Sequence, residues 1–407
     1  MTFSDEWRRL DEASENQDAP SPALTAGALR GLKVVDASRI LGGPLCAQIL
    51  GDHGADVIKI EGPDGDDTRR WGPPFSDGVS AYFSGLNRNK RALCLDLTDA
   101  QGRQHLFEML ATADVLIENF KPGTVERWGL SSTALRERFP ALIHCRVSGF
   151  GPDGPMGGLP AYDTAMQGLC GLMSVNGDAH TGPLRVGLPV VDMTTALNAV
   201  IGVLLALQER HRSGRGQLVE ATLYDSALSL LHPHAANYLM TGQRPVATGN
   251  AHPSIYPYDS FLTKHGSIYL AVGNDRQFER LCECLGTPDL ARDARFGSNA
   301  SRSTNRSALR RELETKLADV DGPALCAKLV ASGVPSAPIV NVDEALSHAH
   351  AAHRSRIVSV GGGYRGIASP IHLERTPATY RLAPPALPGS GKKSMADPEN
   401  HNPTGST

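Results

Sequence analysis

The feature that most constrains the fold is an alternation of short apolar runs with single helical segments, which starts near Leu32. A helical period follows Thr98, where Leu106, Met109 and Leu110 recur on one face. Continuous apolar runs joined by single helices are typical of parallel strands buried on both faces. The pattern therefore predicts an α/β protein with a Rossmann-like large domain. The runs, rich in β-branched residues, lie at 32–38, 56–61, 91–97, 114–120 and 141–150.

The 407 residues exceed the size of one ordinary domain, since domains average about 150 residues. After Tyr224 the sequence changes to a Pro/Gly-rich loop and a hairpin-like segment, which predicts a smaller α+β domain. Both ends of the chain are rich in charged and turn-forming residues. We therefore divide the chain into a polar N-terminal arm at 1–28, a large Rossmann-like domain at 29–224 with 335–385, a small domain at 225–334 and a disordered tail at 386–407.

Charge and composition exclude several classes of function. Lys and Arg total 40 against 43 Asp and Glu, and this near-neutral balance argues against broad nucleic-acid binding. The longest apolar stretch, at 199–207, is shorter than the roughly 20 residues of a membrane span. The seven cysteines are scattered without a CxxC pair, as in a reduced cytoplasmic protein. We expect a cytoplasmic location, no nucleic-acid or membrane partner, and no metal site.

The loop after the first strand bears on nucleotide binding. It reads SRILGGP at 38–44, which matches neither GxGxxG nor GxxxxGK[ST]. The usual dinucleotide fingerprint is therefore missing. A Gly-Gly-Pro turn at the carboxyl end of a strand either lets a ligand approach the backbone or is a tight turn without a ligand.

Two carboxylates lie at predicted helix starts. Asp192 follows an apolar run and opens a long helix from about Met193 to Arg212, capped by Asp192 or Thr194. Backbone N–H groups and the helix dipole at that place stabilise an ionised carboxylate, so Asp192 is either a plain cap or a nucleophile kept ionised. Asp163 lies between glycine-rich turns and another helix start, and it too is either a cap or a catalytic group.

A candidate phosphate site follows the fourth predicted strand. The segment ENFKPG at 118–123 combines a strand end, a turn and Lys121, and Arg127 lies just beyond it. Two cations near a helix N-terminus are the parts of a phosphate site. The alternative is that both side chains are simply solvated at the surface.

Ordered motifs extend over residues 29–382. They are LRGLKVVDASRILGGPLCAQILGDHGADVIKIEGPDGDDTR, NRNKRALCLDL, ADVLIENFKPGTVERWGL, SGFGPDGP followed by AYDTAMQGLCGLM, HRSGRGQLVEATLYDSAL and GNAHPSIYPYDSF. Together they resemble the family III CoA-transferases, the group of formyl-CoA transferase, carnitine CoA-transferase and α-methylacyl-CoA racemase. GDDTRRWGPPF, HPHAANYLMTGQ and AHPSIYPYDSF are most similar to succinyl-CoA:dicarboxylate transferases of the succinyl-CoA:glutarate type.

The resemblance implies roles for individual positions. The family's nucleophilic aspartate falls on Asp192, and Asp163 is then a supporting carboxylate. We also consider Asn250 and His252 as substrate contacts, with Arg185 or His180 as alternatives for pairing with a distal carboxylate. The family's CoA contacts fall on Leu41, Gly42, Leu95, Thr98, Asn119, Phe120, Lys121, Arg127 and Tyr162.

The resemblance implies transfer of CoA from an acyl-CoA donor to a free carboxylic acid. By the same likeness, the donor is succinyl-CoA and the acceptor is a dicarboxylate. The route runs through aspartyl anhydride and aspartyl-CoA thioester intermediates, with the CoA thioester as substrate and no permanently bound cofactor. The family also implies a homodimer of two interlocked two-domain subunits. The alternatives are a 2-methylacyl-CoA racemase or epimerase and a non-catalytic acyl-CoA-binding relative. The family's racemases carry a histidine where this chain has Tyr162, which favours transfer.

Several positions depart from the family pattern. Relatives carry arginine at the positions of Leu159 and Gly62 and glutamine at the position of Leu41. The glycine-rich loop over the oxalyl or formyl site is replaced by GNAHP at 249–253. We therefore do not expect oxalate as the acceptor.

Overall fold

The computed structural model describes residues 27–76, 78–121 and 123–387. The predicted N-terminal arm up to residue 26 and the predicted tail from residue 388 lie outside the described residues. Within the described part, contacts divide the chain into two compact units. Unit 1 contains the residues up to Asp163, Pro189–Ser226 and those from Arg356 onward, and unit 2 contains Thr164–Leu188 and Ala227–Ser355.

A six-stranded parallel sheet forms the centre of unit 1, in agreement with the predicted parallel sheet. Its strand order is β6-β5-β4-β1-β2-β3, which is the Rossmann order. The order reverses between β1 and β4, because the chain returns from β3 at one edge to pair beside β1. The strands are β1 (Lys33–Asp36), β2 (Asp56–Glu61), β3 (Lys90–Cys94), β4 (Val115–Glu118), β5 (Ile143–Ser148) and β6 (Leu218–Thr222).

Helices and short strand pairs complete unit 1. Apolar side chains from the sheet and its flanking helices pack into one core around Val35, Ile58, Leu106 and Leu116. The short strands pair as Phe75–Ser76 with Val79–Ser80 and as Ile357–Val360 with Tyr364–Ile367. The helices are Gly42–Asp52, Ala81–Ser84, Ala100–Leu110, Thr124–Arg127, Ser132–Arg138 and Val190–Ser213, with a 3₁₀ turn at Asp67–Arg70.

Unit 2 has its own antiparallel sheet and core. The strands Tyr258–Leu262 and Ser267–Ala271 form the predicted hairpin, and Ser336–Pro338 pairs with the second of them. A core of aromatic and aliphatic residues, among them Phe261 and Phe278, packs against this sheet. The remaining pair is Gly177–Asp178 with Gly182–Pro183. The helices are Leu172–Val175, His234–Thr241, Asp275–Cys284, Pro288–Arg292, Asn299–Thr304, Arg306–Leu317, Gly322–Ala331, Val342–Ser347 and Ala349–His353.

The observed division differs from the predicted boundaries at two places. Residues 335–355 group with unit 2, because the strand Ser336–Pro338 is paired within the antiparallel sheet. Residues 164–188 also group with unit 2, where the Gly249 N–H donates to the Gly177 carbonyl at 2.7 Å. Two helices cross the boundaries, at Asp163–Leu169 and Leu223–Ser229.

The long helix starts earlier than the sequence predicts. It spans Val190–Ser213, with Pro189 at the N-cap position and Asp192 inside the first turn. The prediction that Asp192 or Thr194 caps it is wrong, because both residues lie inside the helix. The Thr194 hydroxyl donates to the Val190 carbonyl. By length and composition this helix could cross a membrane, a property shared by buried core helices. Part of its surface is buried in unit 1, including Val191 and Val203.

Candidate active site

A pocket of about 370 Å³ opens in unit 1 at the carboxyl ends of the central strands. The loops that follow β1, β4 and β5 line it, together with the start of the Val190–Ser213 helix. Open α/β sheets bind ligands at the crevice where the strand order reverses, and this crevice lies between β1 and β4. The lining residues are Arg39, Ile40, Leu41, Gly42, Asn119, Phe120, Lys121, Val147, Ser148, Gly149, Gly151, Gly158, Leu159, Pro160, Ala161, Tyr162, Asp192 and Leu223.

Asn119 joins the two loops at the reversal point. Its side-chain carbonyl accepts from the Arg39 N–H at 2.9 Å, and its amide donates to the Arg39 carbonyl at 2.8 Å. The Asn119 side chain, which is predicted to contact CoA, thus also links the two loops by hydrogen bonds. On the β4 side, the buried Glu118 accepts from the Phe120 N–H at 2.9 Å.

Two cations stand at this pocket. Lys121 is exposed, and Arg39 reaches Asp67 at 3.6 Å in an exposed pair. The helix Gly42–Asp52 also begins here, with no acidic residue in its first turn. Exposed cations and a helix N-terminus favour an anionic group in the pocket.

Asp192 lines the pocket, while Asp163 caps the helix that carries it. Asp163 Oδ2 accepts from the backbone N–H groups of Val191 at 2.8 Å and Asp192 at 3.1 Å. Two N–H groups of the first turn are therefore satisfied by a residue outside the helix. The sequence left each aspartate as either a cap or a catalytic group. The geometry makes Asp163 the cap.

The ionisation of Asp192 differs from the expectation that the helix start keeps it charged. Burial, followed by the negative charge of Asp163, raises the pKa of Asp192 to about 7. Desolvation and a like charge both disfavour the ionised form. The carboxyl group is therefore poised between its two protonation states near neutral pH.

Tyr82 is an additional candidate that sequence reasoning missed. Burial, followed by the charges of Asp192 and Asp163, raises the pKa of Tyr82 to about 12. Its hydroxyl therefore remains a proton donor in the electrostatic neighbourhood of both carboxylates. The ring packs edge-on against Trp71, with ring centroids 5.1 Å apart. Nothing in the local sequence SAYF indicates this placement.

The pocket brings together six of the nine predicted CoA contacts: Leu41, Gly42, Asn119, Phe120, Lys121 and Tyr162. Tyr162 is 62% exposed. Leu159, one of the departures from the family pattern, also lines the pocket.

The other three predicted contacts lie outside this pocket. The Leu95 side chain is buried in the apolar core. Thr98 binds Asp96 through its N–H and its hydroxyl, at 2.9 and 2.6 Å. Arg127 is exposed, and its guanidinium donates to the Thr124 hydroxyl at 3.3 Å.

Asn250 and His252, the predicted substrate contacts, belong to unit 2. The His252 Nδ1 accepts from the N–H groups of Ser254 and Ile255 at 3.1 and 3.2 Å. Burial, followed by Arg306, lowers the pKa of His252. This histidine is thus held neutral, with Nε2 as its remaining donor. The Asn250 amide donates to the Ser260 hydroxyl at 2.9 Å.

Arg185 and His180 also belong to unit 2, and both side chains are exposed. Within the described ranges, no group of three or more His, Cys, Asp or Glu residues could hold a metal ion. All seven cysteines lie in those ranges, and none of them forms a disulfide bond.

A Rossmann-like sheet with a pocket at its reversal point, cations at that pocket and a carboxylate of raised pKa defines an α/β enzyme that acts on an anionic ligand. The chain belongs to CoA-transferase family III, whose family model matches residues 29–391. It is a CoA-transferase.

Individual relatives support this membership. The chain is 37% identical over 370 residues to a succinate–glutarate CoA-transferase of Agrobacterium fabrum, covering 88% of this chain and 92% of the relative. It is 39% identical over 344 residues to a succinyl-CoA:mesaconate CoA-transferase of Haloarcula hispanica, covering 82% and 86%. A crystal structure of a CAIB/BAIF family protein from Brucella suis matches with a TM-score of 0.81 and 39% identity, covering 89% of this chain and 97% of that one.

Proposed function

We propose that Asp192 is the nucleophile of a CoA transfer and that the pocket at the reversal point holds the CoA thioester. The observation that carries the proposal is the position of Asp192 in the wall of a pocket that Arg39 and Lys121 also line. A carboxylate with a pKa near 7 is more basic than an ordinary aspartate and is still ionised in part at neutral pH.

The reaction proceeds by exchange of acyl groups on Asp192. Its carboxylate attacks the thioester carbonyl of the donor and the C–S bond breaks. CoA departs as the thiolate, and a mixed anhydride between Asp192 and the donor acyl group remains. The thiolate attacks the aspartyl carbonyl, which releases the donor acid and leaves an aspartyl-CoA thioester. The acceptor carboxylate displaces CoA to form a second anhydride. CoA then attacks the acceptor's acyl carbon and regenerates Asp192.

Two neighbours assist the proposed nucleophile. Asp163 fixes the first turn of its helix through the two N–H contacts and raises its basicity by charge. The raised pKa keeps the Tyr82 hydroxyl protonated in the electrostatic neighbourhood of Asp192, where it is a candidate hydrogen-bond donor. In this proposal Arg39 and Lys121, which both line the pocket, bind the phosphate groups of CoA.

We propose succinyl-CoA as the donor and a dicarboxylate as the acceptor. The names of both relatives support a four- or five-carbon diacid pair, and their differing acceptors call for a panel of acids. Asn250 and His252 remain candidate substrate contacts. As a neutral group, His252 would donate one hydrogen bond from Nε2 to a carboxylate.

A homodimer is part of the proposal. The long helix exposes Leu197, Ile201, Leu204 and Leu205 on one face, which suits burial against a second copy of this chain. The family likeness favours an interlocked arrangement. Sedimentation equilibrium tests it, and a monomer at micromolar concentration contradicts it. The cytoplasmic location stays a prediction, supported by seven cysteines that form no disulfide bond.

Mass spectrometry tests the reaction directly. The protein is incubated with succinyl-CoA and glutarate, mesaconate, malate, citramalate, itaconate or oxalate, and enzyme adducts are trapped with hydroxylamine or borohydride. We expect new acyl-CoA products and modification of Asp192. Asp192→Ala should lower turnover by about three orders of magnitude or more.

A matched control is Asp99→Asn. Asp99 also lies at a helix start and accepts from the Gln101 N–H, but it lies outside the pocket. Near-wild-type transfer by Asp192→Ala contradicts the proposed nucleophile. Deuterium entering a 2-methylacyl-CoA, without any acyl exchange, would instead indicate an epimerase.

A further inference from the structure

A buried ion pair contacts the loop after β1, which forms part of the pocket wall. Lys59 Nζ is 2.9 Å from Asp66 Oδ2, and both side chains are fully buried. Burial opposes both charges. Nevertheless, the neighbouring carboxylates raise the pKa of Lys59, and Lys59 lowers the pKa of Asp66. Both groups are thus charged, and each has hydrogen-bonding capacity beyond the pair itself.

This pair binds the loop after β1 at two points. Lys59 Nζ donates to the Ser38 carbonyl at 2.8 Å. The Ile40 N–H donates to the two Asp66 carboxylate oxygens, at 3.4 and 3.3 Å. Arg39, between these two contacts, is held by the Asn119 bridge. The backbone is therefore fixed at three successive residues.

The residue so held has an unusual backbone. Ile40 has φ of 75°, in the left-handed region that β-branched residues rarely adopt. Such a conformation persists only where the surroundings over-determine it, and residues of this kind cluster at ligand sites. Ile40 and its neighbours Arg39, Leu41 and Gly42 all line the pocket.

We propose that Lys59 and Asp66 are positioning residues that hold Ile40 in its left-handed conformation and thereby shape the Arg39–Gly42 wall for the CoA part of the substrate. This inference rests on the proposed function for its ligand. Neither side chain lines the pocket, so their effect reaches the ligand through the backbone of the loop. Their loss should weaken binding of the CoA moiety more than it slows the chemistry at Asp192.

The central variant is Asp66→Asn, which keeps the size of the side chain and removes its charge. A matched control is Asp52→Asn, since Asp52 pairs with Arg88 at 2.6 Å in an equally buried site away from the pocket. Thr68→Val is a milder second variant. It removes a hydroxyl that donates to Asp66 Oδ1 at 2.7 Å and leaves the ion pair intact.

Ile40→Gly separates positioning from a general structural role. Glycine adopts positive φ without strain, so it needs no partner to hold it there. If Asp66 acts by restraining Ile40, then Ile40→Gly should recover part of the affinity lost in Asp66→Asn. If Asp66 only stabilises the unit, Ile40→Gly recovers nothing.

The measurements are the Kd of succinyl-CoA by calorimetry, the KM and kcat of transfer, and amide hydrogen exchange of residues 38–42. We expect Asp66→Asn to weaken binding about tenfold with kcat changed less than KM, and to speed exchange in this segment. The double variant Asp66→Asn/Ile40→Gly should regain about half of the loss on a logarithmic scale. Thr68→Val should show a smaller shift in the same direction, and Asp52→Asn none.

The outcomes separate the two proposals. A wild-type protein that binds no CoA thioester overturns the proposed function and, with it, the ligand assigned here. Wild-type binding with an unchanged Kd in Asp66→Asn overturns this inference alone. The inference is also overturned if Asp66→Asn weakens succinyl-CoA binding and the added Ile40→Gly substitution recovers none of the lost affinity. If Asp66→Asn does not fold, an unchanged Kd in Thr68→Val has the same force.

Discussion

Asp163 Oδ2 accepts a hydrogen bond from the backbone N–H of Asp192, so one carboxylate fixes the backbone of the other. The same oxygen accepts from Val191, and the first turn of the long helix thereby acquires an acidic cap from another segment of the chain. The cap has an electrostatic consequence, because its charge also contributes to the raised pKa of Asp192. Asp163 therefore positions the proposed nucleophile and adds to the effect of burial, which is the larger cause of its raised pKa.

Asp163→Asn should shift the pH profile of transfer. The reaction needs ionised Asp192, so kcat/KM should rise with pH through a pKa near 7 in the wild type. Removal of the Asp163 charge lowers the pKa of Asp192, and the acidic limb should move to lower pH. The check is kcat/KM with succinyl-CoA from pH 5 to 9. A limb that stays in place contradicts the coupling of the two carboxylates.

Asp163→Ala is the companion variant, because alanine removes the cap as well as the charge. Loss of an N-cap acceptor costs about 1 kcal/mol. Urea denaturation should therefore show a lower unfolding free energy for Asp163→Ala than for Asp163→Asn, whose amide oxygen can still accept. Equal stabilities would indicate that the two N–H contacts contribute little.

Asp192→Asn should stabilise the folded protein above neutral pH. The folded-state pKa of about 7 lies above the ordinary value of 3.8, so the folded state binds more protons than the unfolded state between these two values. Wild-type stability should therefore fall as pH rises from about 4 to 7, and the neutral amide escapes this loss. The expected gain at pH 8 is roughly 1–3 kcal/mol after allowance for solvent screening.

Thermal or urea unfolding at pH 5 and pH 8 measures this effect. The difference between Asp192→Asn and the wild type should be larger at pH 8. Asp99→Asn, at an exposed helix start, provides the comparison without a buried charge. A variant that is less stable than the wild type at pH 8 would show that Asp192 is not destabilised in the folded state.

The sequence predicts the sheet more completely than the site. The reason is that strands are indicated by local patterns, whereas the site depends on contacts between residues far apart in the sequence. Continuous apolar runs are local signals, and they located five strands of the parallel sheet. Asp163 and Tyr82 reach the electrostatic neighbourhood of Asp192 only through the tertiary fold. No local pattern therefore shows that Asp163 raises the pKa of Asp192 or that Asp192 raises the pKa of Tyr82. The buried Lys59 is similar, because a lysine inside VIKIE looks like an ordinary interruption of a strand.

The predicted CoA contacts show the same limit. Those in loops at strand ends, such as Leu41 and Lys121, line the pocket, because the carboxyl ends of parallel strands share one edge. Leu95 follows an edge strand, and its side chain instead turns into the core. Whether a side chain at a strand end faces a ligand or the core depends on packing that the sequence does not specify.

Gly43→Ala should destabilise the loop after β1. A Cβ at Gly43 would overlap the Ser38 side chain, which Asp36 fixes by hydrogen bonds. Overpacking of a buried site costs about 1–3 kcal/mol, and here the strain falls on the wall of the pocket. We expect a lower unfolding free energy and weaker succinyl-CoA binding. Gly62→Ala is the control, since a Cβ there meets no atom within 4 Å, and it should change neither quantity.

Lys121 and Arg127 should differ in their contribution to CoA binding, although the family likeness assigns both to it. Lys121 lines the pocket, whereas Arg127 lies outside it and donates to Thr124. Lys121→Gln should raise the KM of succinyl-CoA about fivefold, which corresponds to about 1 kcal/mol for an exposed charge pair. The effect should shrink in high salt, because screening weakens exposed ion pairs.

Arg127→Gln should leave KM within about twofold of the wild type. Such a change is smaller than the effect expected from the loss of one exposed ion pair. A larger effect of Arg127→Gln would place CoA phosphates beyond the pocket described here.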